Sequence, residues 1–155
     1  MVHELRHRDG IASLSFVAQQ TDGTVVGHII CSNAVIKKGE QILPVLNFGP
    51  LSVLPEYQRQ GVGKTLVRTM IEQAKKLGYG AILFFGRPEY YPQFGFREAA
   101  LYGISDSEGY NYPAFMAMEL KERYLNDIRG GKYFESDIYN DELNREKVRA
   151  FDRVF

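Results

Sequence analysis

Several absences narrow the class of protein before any motif is considered. The 155-residue chain has one cysteine, Cys31, which excludes an internal disulfide and a multi-cysteine zinc site. Nineteen Lys and Arg residues balance nineteen Asp and Glu residues, so no overall field favours nucleic acid or anionic lipid as a partner. The longest apolar runs, such as AILFF at 81–85, are too short to span a bilayer. The first ten residues lack the apolar segment of a signal peptide, which favours a cytoplasmic protein.

The residues that are present predict a mixed α+β (α/β) fold in a single domain over 1–155. Apolar spacings of three and four predict one helix from Val62 to Leu77, followed by Gly78 as its C-cap. Residues 121–155 are more polar and are predicted to form a C-terminal extension with a closing helix at 141–153. Strands are predicted at 14–20, 24–37, 42–53, 81–85, 96–100 and 112–120. This order implies a sheet with one parallel crossover.

The loop EYQRQGVGKT, residues 56–65, is the strongest candidate for a binding site. Its end resembles a P-loop, but Gln58 stands where that motif needs its first glycine, and no later strand ends in an Asp for magnesium. A dinucleotide-binding fingerprint fails as well, because Leu66 occupies the third glycine position. A loop that opens into a helix, with glycines and two cations, still suits a pyrophosphate. The alternative interpretation is a tight turn that uses glycine only for its geometry.

A second motif lies downstream, in YYPQFGF at residues 90–96. Together with Gln58, Gly61 and Gly63, it resembles the Q/R-x-x-G-x-G/A loop and the Tyr-x-x-x-Gly-Phe segment of the GNAT superfamily of N-acetyltransferases. The resemblance extends from residue 14 to about residue 120. It implies a mostly antiparallel sheet with a central splayed pair of parallel strands flanked by helices. It also implies that the pyrophosphate expected at the loop belongs to acetyl-CoA.

The resemblance assigns roles to particular residues. The pantetheine arm is expected to pair with backbone at the end of the third strand, and Tyr91 is expected to act as the acid toward the departing thiolate. A backbone N–H near that strand end is a candidate for holding the oxyanion. The expected acetyl-CoA-binding residues are Leu51, Ser52, Val53, Gln58, Arg59, Gln60, Gly61, Val62, Gly63, Lys64 and Thr65.

The general base is left open by the sequence. The strand before the loop contains no carboxylate, so the candidates are Glu89, a relayed water, or an acceptor amine of low pKa that needs little help. No cluster of Cys, His or carboxylate residues has the spacing of a metal site, so no metal is expected. Cys31 is interpreted as a small buried residue rather than a nucleophile.

The chain departs from the family at its start, because only about thirteen residues precede the first predicted strand. The family's first strand is therefore expected to be abbreviated or missing, which leaves a sheet edge that a homodimer would cover. The resulting hypothesis is an acetyl-CoA-dependent N-acetyltransferase acting on an amine of a small molecule or peptide, without nucleic acid or membrane partners. A non-catalytic acyl-CoA-binding module is the main alternative, and a P-loop nucleotide-binding protein is a weaker one.

Overall fold

The computed structural model describes residues 14–135, which contain seven strands and one α-helix. The helix, α1, spans Val62–Lys76, one residue shorter than the apolar spacing predicts. Three-residue and four-residue 3₁₀ turns occur at Pro55–Tyr57, Tyr91–Phe94, Ala99–Tyr102 and Asn126–Ile128. The strands are β1 (Phe16–Gln19), β2 (Val25–Lys38), β3 (Gln41–Val53), β4 (Ala81–Phe85), β5 (Arg97–Glu98), β6 (Phe115–Glu119) and β7 (Lys132–Phe134). The closing helix predicted at 141–153 and the segment before residue 14 lie outside the described residues, so the single-domain prediction stays a prediction.

The strands form one sheet in the order β1-β2-β3-β4-β6-β5, and β7 pairs with β2. The ladders β1–β2, β2–β7, β4–β6 and β5–β6 are antiparallel. Strands β3 and β4 are parallel, and their register consists of a single pair, Leu46 with Ile82. A mostly antiparallel sheet with a parallel pair around one helix confirms the predicted fold class.

The chain divides into two compact units. The described part of the first unit comprises residues 14–32 and 48–74. Its β1–β2 hairpin turns at Gly23, whose φ is +90°, and the Thr24 N–H donates to the Asp22 carboxylate at 2.9 Å. The core of this unit includes one face of α1, made by Leu66, Val67, Met70, Ile71 and Ala74.

The described part of the second unit comprises residues 33–47 and 75–135. Its aliphatic and aromatic core is built from β4, β6, β7 and the adjoining halves of β2 and β3. The hydroxyl of Tyr124 donates to the carbonyl of Pro44 at 2.7 Å. The hydroxyl of Tyr133 accepts from Asn47 Nδ2 at 2.5 Å and donates to the Leu83 carbonyl at 3.3 Å. These bonds satisfy the polar ends of two large aromatic side chains next to the core.

Two segments of the second unit differ from the sequence prediction. The strand predicted at 96–100 is reduced to Arg97–Glu98, because the chain turns into a 3₁₀ helix at Ala99. In the polar extension, Gly130 has a φ of +89°, and strand β7 begins directly after Gly131. Strand β7 was not predicted from the sequence, and it places Ile36 opposite Tyr133, which is far away along the chain.

Candidate functional site

The loop from the end of β3 to α1 is held by its own glutamines. Gln58 donates its side-chain amide to the carbonyl of Val53 at 3.1 Å, and Gln60 donates to the carbonyl of Glu56 at 3.0 Å. Arg59 has a φ of +64°, an uncommon value for a residue with a Cβ. The motif residue Gln58 therefore ties the loop back to the strand it leaves.

The start of α1 presents a row of backbone donors. Its first backbone bond runs from Thr65 N–H to the Gly61 carbonyl at 3.0 Å. The N–H groups of residues 61–64 thus precede the helical ladder, and within residues 14–135 no backbone oxygen outside the helix accepts from them. Gly61 has a φ of +85°, and a Cβ on it would meet nothing within 4 Å. The donors, the helix dipole and the exposed Lys64 form a local arrangement suited to an anion such as a pyrophosphate.

Gly27 of β2 allows the first turn of α1 to lie close to the sheet. A Cβ at this position would be 3.0 Å from the Ser52 carbonyl oxygen, 3.0 Å from Val62 Cγ1 and 3.2 Å from Leu66 Cδ1. All three distances are tighter than ordinary van der Waals contact. The loop motif did not predict this glycine, because its role depends on strands and helix coming together in three dimensions.

The peptide groups of the last residues of β3, Leu51 to Val53, point alternately toward β2 and away from it. Leu54 N–H donates to the Val26 carbonyl of β2 at 2.8 Å. Because successive peptide groups in a strand point to opposite sides, the N–H groups of Val53 and Leu51 are directed away from β2. The Val53 carbonyl already accepts from Gln58, which leaves its N–H as the group available for a ligand on that side.

A cavity of about 320 Å³ borders the loop in the first unit. It lies between β1 and the first two turns of α1, so its walls come from both elements. Four of the predicted acetyl-CoA-binding residues line this cavity. The lining residues are Phe16, Val17, Ala18, Gln60, Gly61, Val62, Thr65, Leu66 and Thr69.

Tyr91 lies in the second unit, at the start of the 3₁₀ turn Tyr91–Phe94. Its ring packs edge-on against Phe84 of β4, with centroids 4.6 Å apart. Gly86 makes this contact sterically feasible, since a Cβ there would be 2.5 Å from the Phe84 ring and 2.6 Å from the Tyr91 ring. The tyrosine that the sequence motif identified is therefore fixed by a glycine that the motif did not include.

Burial raises the pKa of Tyr91, and the neighbouring Tyr90 adds to this effect while Arg87 opposes it. The hydroxyl therefore keeps its proton at neutral pH and can act as a hydrogen-bond donor. Glu89, the predicted candidate for the base, is exposed in the turn just before Tyr91. Glu89 and Tyr91 thus both belong to the second unit, whereas the loop and the end of β3 are linked by the Gln58 bond in the first.

Cys31 is fully buried in β2, and burial raises the pKa of its thiol to about 12. A thiol in this environment is a poor nucleophile, in line with the interpretation of Cys31 as a small buried residue. Within residues 14–135, no group of three His, Cys, Asp or Glu side chains is arranged to hold a metal ion. Over the same residues, no helix is long and apolar enough to cross a membrane.

Comparison with known protein families identifies the family. The model of the acetyltransferase (GNAT) domain matches residues 11–98, which include the loop and the Tyr91 segment. The chain belongs to the GNAT acetyltransferase family. The predicted family is thus confirmed. Membership of this family also confirms the predicted class of enzyme, an acetyl-CoA-dependent N-acetyltransferase.

Two proteins of Escherichia coli (strain K12) are among the similar GNAT proteins. YjhQ, named an uncharacterized N-acetyltransferase, is 40% identical over 89 residues, which cover 57% of this chain and 48% of YjhQ. YhbS, also named an uncharacterized N-acetyltransferase, is 32% identical over 130 residues, covering 84% of this chain and 76% of YhbS. The chain therefore spans about half the length of one relative and about three quarters of the other.

Solved structures of GNAT proteins are similar as well. The crystal structure of E. coli YhbS in complex with CoA superposes with a TM-score of 0.77 and 27% identity, covering 91% of this chain and 76% of that one. A GNAT acetyltransferase from Brucella melitensis in complex with acetyl-CoA has a TM-score of 0.59 and 30% identity, covering 77% of this chain and 66% of that one.

Proposed function

We propose that this GNAT protein transfers the acetyl group of acetyl-CoA to an amine of a small molecule or peptide, by direct attack in a ternary complex. The observation that carries the proposal is the row of N–H groups at residues 61–64, at the start of α1, in a chain of this family. Structures of similar GNAT proteins in complex with CoA and acetyl-CoA support the same cosubstrate here. No resident metal ion is invoked.

The pyrophosphate would bind at the start of α1. Its oxygens would accept from the N–H groups of residues 60–64 and from the Thr65 hydroxyl, and the positive charges of Arg59 and Lys64 would add to the helix dipole. Gln58 contributes indirectly, since its bond to the Val53 carbonyl holds the loop in position. The pantetheine arm would pair with the backbone of Leu51, Ser52 and Val53.

The chemical step is attack of a neutral amine nitrogen on the thioester carbonyl carbon. A C–N bond forms, the carbonyl oxygen becomes an oxyanion, and collapse of the tetrahedral intermediate breaks the C–S bond. The Val53 N–H, directed away from β2, is the proposed oxyanion donor. Tyr91 is proposed to donate a hydrogen bond to the departing sulfur. Since its raised pKa lies above that of a thiol, hydrogen bonding contributes more than full proton transfer. Glu89 remains a candidate base.

Calorimetric titration with acetyl-CoA, and separately with Mg-ATP, tests the loop assignment. Gly61 and Gly23 form a matched pair, because both have positive φ, at +85° and +90°, and open space around the Cβ position. The backbone strain of an alanine, about 1–2 kcal/mol, is therefore similar at the two sites. We expect Gly61→Ala to weaken acetyl-CoA binding at least about tenfold by rearranging the loop, whereas Gly23→Ala leaves the affinity unchanged.

The outcomes separate three classes of protein. Acetyl-CoA binding with release of free CoA across an amine panel supports the transferase. Binding without release of CoA in the presence of any amine supports a non-catalytic acyl-CoA-binding module. Binding of Mg-ATP in place of acetyl-CoA would overturn the proposal in favour of a nucleotide-binding protein.

A further inference from the structure

The turn that leads to Tyr91 begins at Arg87, shortly after the end of β4. The Arg87 carbonyl accepts from the N–H of Tyr90 at 3.1 Å and from the N–H of Tyr91 at 3.3 Å. Pro88 occupies the second position of this turn, where the restricted φ of proline favours the turn conformation. The backbone of Arg87 therefore fixes the start of the segment to which both tyrosines belong.

The side chain of Arg87 returns to the same turn. Its guanidinium carbon lies 5.6 Å from the centroid of the Tyr90 ring, which is within the range of a cation–π contact. Arg87 is exposed, whereas Tyr90 is half-buried. The side-chain amide of Gln93 donates to the Tyr90 carbonyl at 2.8 Å, so the backbone of this residue is held as well. Arg87 therefore covers an aromatic ring that already has a fixed place in the turn.

The ring of Tyr90 in turn supports the ring of Tyr91. The two rings meet edge to face, with centroids 5.0 Å apart and an interplanar angle of 87°. Phe94 contacts both, at 5.5 Å from the Tyr90 ring and 6.2 Å from the Tyr91 ring. Tyr91 also packs edge-on against Phe84 of β4 at 4.6 Å. A displacement of Tyr90 would therefore remove one of the aromatic neighbours that hold the Tyr91 ring.

We infer that Arg87 is a positioning residue for Tyr91, because its guanidinium holds the Tyr90 ring in place and that ring fixes the direction of the Tyr91 hydroxyl. Arg87 acts through Tyr90, and no contact between Arg87 and the cosubstrate is invoked. The inference rests on the proposed acetyl transfer, in which Tyr91 donates to the departing sulfur. It adds to that reaction a residue that lies outside the Tyr-x-x-x-Gly-Phe motif.

The charge of Arg87 supports the same role. Burial and the neighbouring Tyr90 raise the pKa of Tyr91, and the positive charge of Arg87 partly offsets this rise. A cation close to a phenol favours the form that gives up its proton, so it also strengthens the hydroxyl as a hydrogen-bond donor. The packing contact and the charge therefore act on Tyr91 in the same direction.

A double-mutant cycle tests the coupling between Arg87 and Tyr91, with kcat measured as release of CoA by the full chain. We expect Arg87→Gln to lower kcat about two- to fivefold, the factor that corresponds to an exposed cation–π contact, and to leave KM for acetyl-CoA unchanged. Arg87→Lys retains a cation and should keep more of the wild-type kcat than Arg87→Gln. In a chain that carries Tyr91→Phe, Arg87→Gln should have no further effect, because the hydroxyl that it positions is absent. Arg123→Gln, the same chemical change at another exposed residue of the second unit, is the control.

Proton NMR gives a second readout that needs no turnover. The edge-to-face contact predicts nuclear Overhauser effects between the ring protons of Tyr90 and Tyr91. We expect these effects in the wild type and in Arg123→Gln, and weaker ones in Arg87→Gln, because the Tyr90 ring loses the group that holds it. Spectra of Tyr90→Phe and Tyr91→Phe assign the signals of the two rings.

Each failure has a distinct signature. Unchanged Overhauser effects in Arg87→Gln overturn the positioning role, whatever that variant does to kcat. Wild-type kcat in Arg87→Gln, or a decrease of the same size in the Tyr91→Phe background, overturns the coupling to the hydroxyl. Weaker Overhauser effects in Arg87→Gln, in a chain that releases no CoA with any amine, would retain the positioning of Tyr91 and overturn the proposed transfer.

Discussion

At the scale of single residues, adjacent Tyr90 and Tyr91 provide a matched comparison. The ring of Tyr91 is held between Phe84 and the turn, and burial raises its pKa, so it remains a hydrogen-bond donor well above neutral pH. We expect Tyr91→Phe to keep the ring packing and lower kcat about 10²-fold, because only the hydroxyl is lost. The ring of Tyr90 lies beneath the Arg87 guanidinium and edge-on to Tyr91, and Tyr90→Phe should leave kcat within about twofold. Steady-state release of CoA measures both, and equal effects of the two substitutions would contradict a special role for Tyr91.

Cys31 allows a second test at this scale. A thiol whose pKa is raised to about 12 by burial has very little thiolate near neutral pH, and its side chain is fully shielded from solvent. We therefore expect the native chain to react with a thiol reagent such as DTNB only on the time scale of unfolding. In denaturant one equivalent should react at once. Fast reaction of the native protein, prevented by Cys31→Ser, would show that β2 opens locally.

At the scale of secondary structure elements, Gly27 allows the first turn of α1 to lie close to β2 and β3. Gly27→Val should push Val62 and Leu66 away from the sheet, because even a Cβ lies 3.0–3.2 Å from its neighbours. We expect acetyl-CoA affinity to fall and the free energy of unfolding to drop by about 1–3 kcal/mol through overpacking. Calorimetry and urea unfolding measure the two effects.

A control separates a shifted helix from general destabilisation. Met70 and Ala74 lie on the same buried face of α1 but two turns or more beyond the start of the helix. Met70→Ala should cost about 2–5 kcal/mol of stability through a cavity and leave acetyl-CoA affinity nearly intact in the folded protein. If Gly27→Val binds acetyl-CoA as tightly as the wild type, the position of the first helical turn does not control the affinity.

Across the whole molecule, sequence patterns predicted those features that short stretches of the chain determine by themselves. The helix and the longer strands follow from periodicity, and the loop and the Tyr91 segment follow from short motifs. Gly27 and Gly86 were not predicted because each is required by side chains that arrive from elsewhere in the chain. Strand β7 was missed for the same reason, since three residues after a glycine pair carry too little pattern without their partner β2.

The pH dependence of global stability tests the environment of Glu135, a half-buried carboxyl that directly follows β7. Burial raises the pKa of this carboxyl in the folded chain above the ordinary value of 4.5, so the folded state holds its proton more tightly than the unfolded state. Stability is then lost as the pH rises from about 4.5 through the folded pKa, and the loss is complete above it. Glu135→Gln cannot ionise and escapes this loss. Urea unfolding, followed by circular dichroism, should find the same free energy of unfolding for Glu135→Gln and the wild type near pH 4. Toward pH 8, Glu135→Gln should become increasingly more stable than the wild type. Glu122→Gln, the same chemical change at an exposed residue, is the control. A variant less stable than the wild type at pH 8 would mean that the ionised carboxylate has a favourable native partner that outweighs its burial.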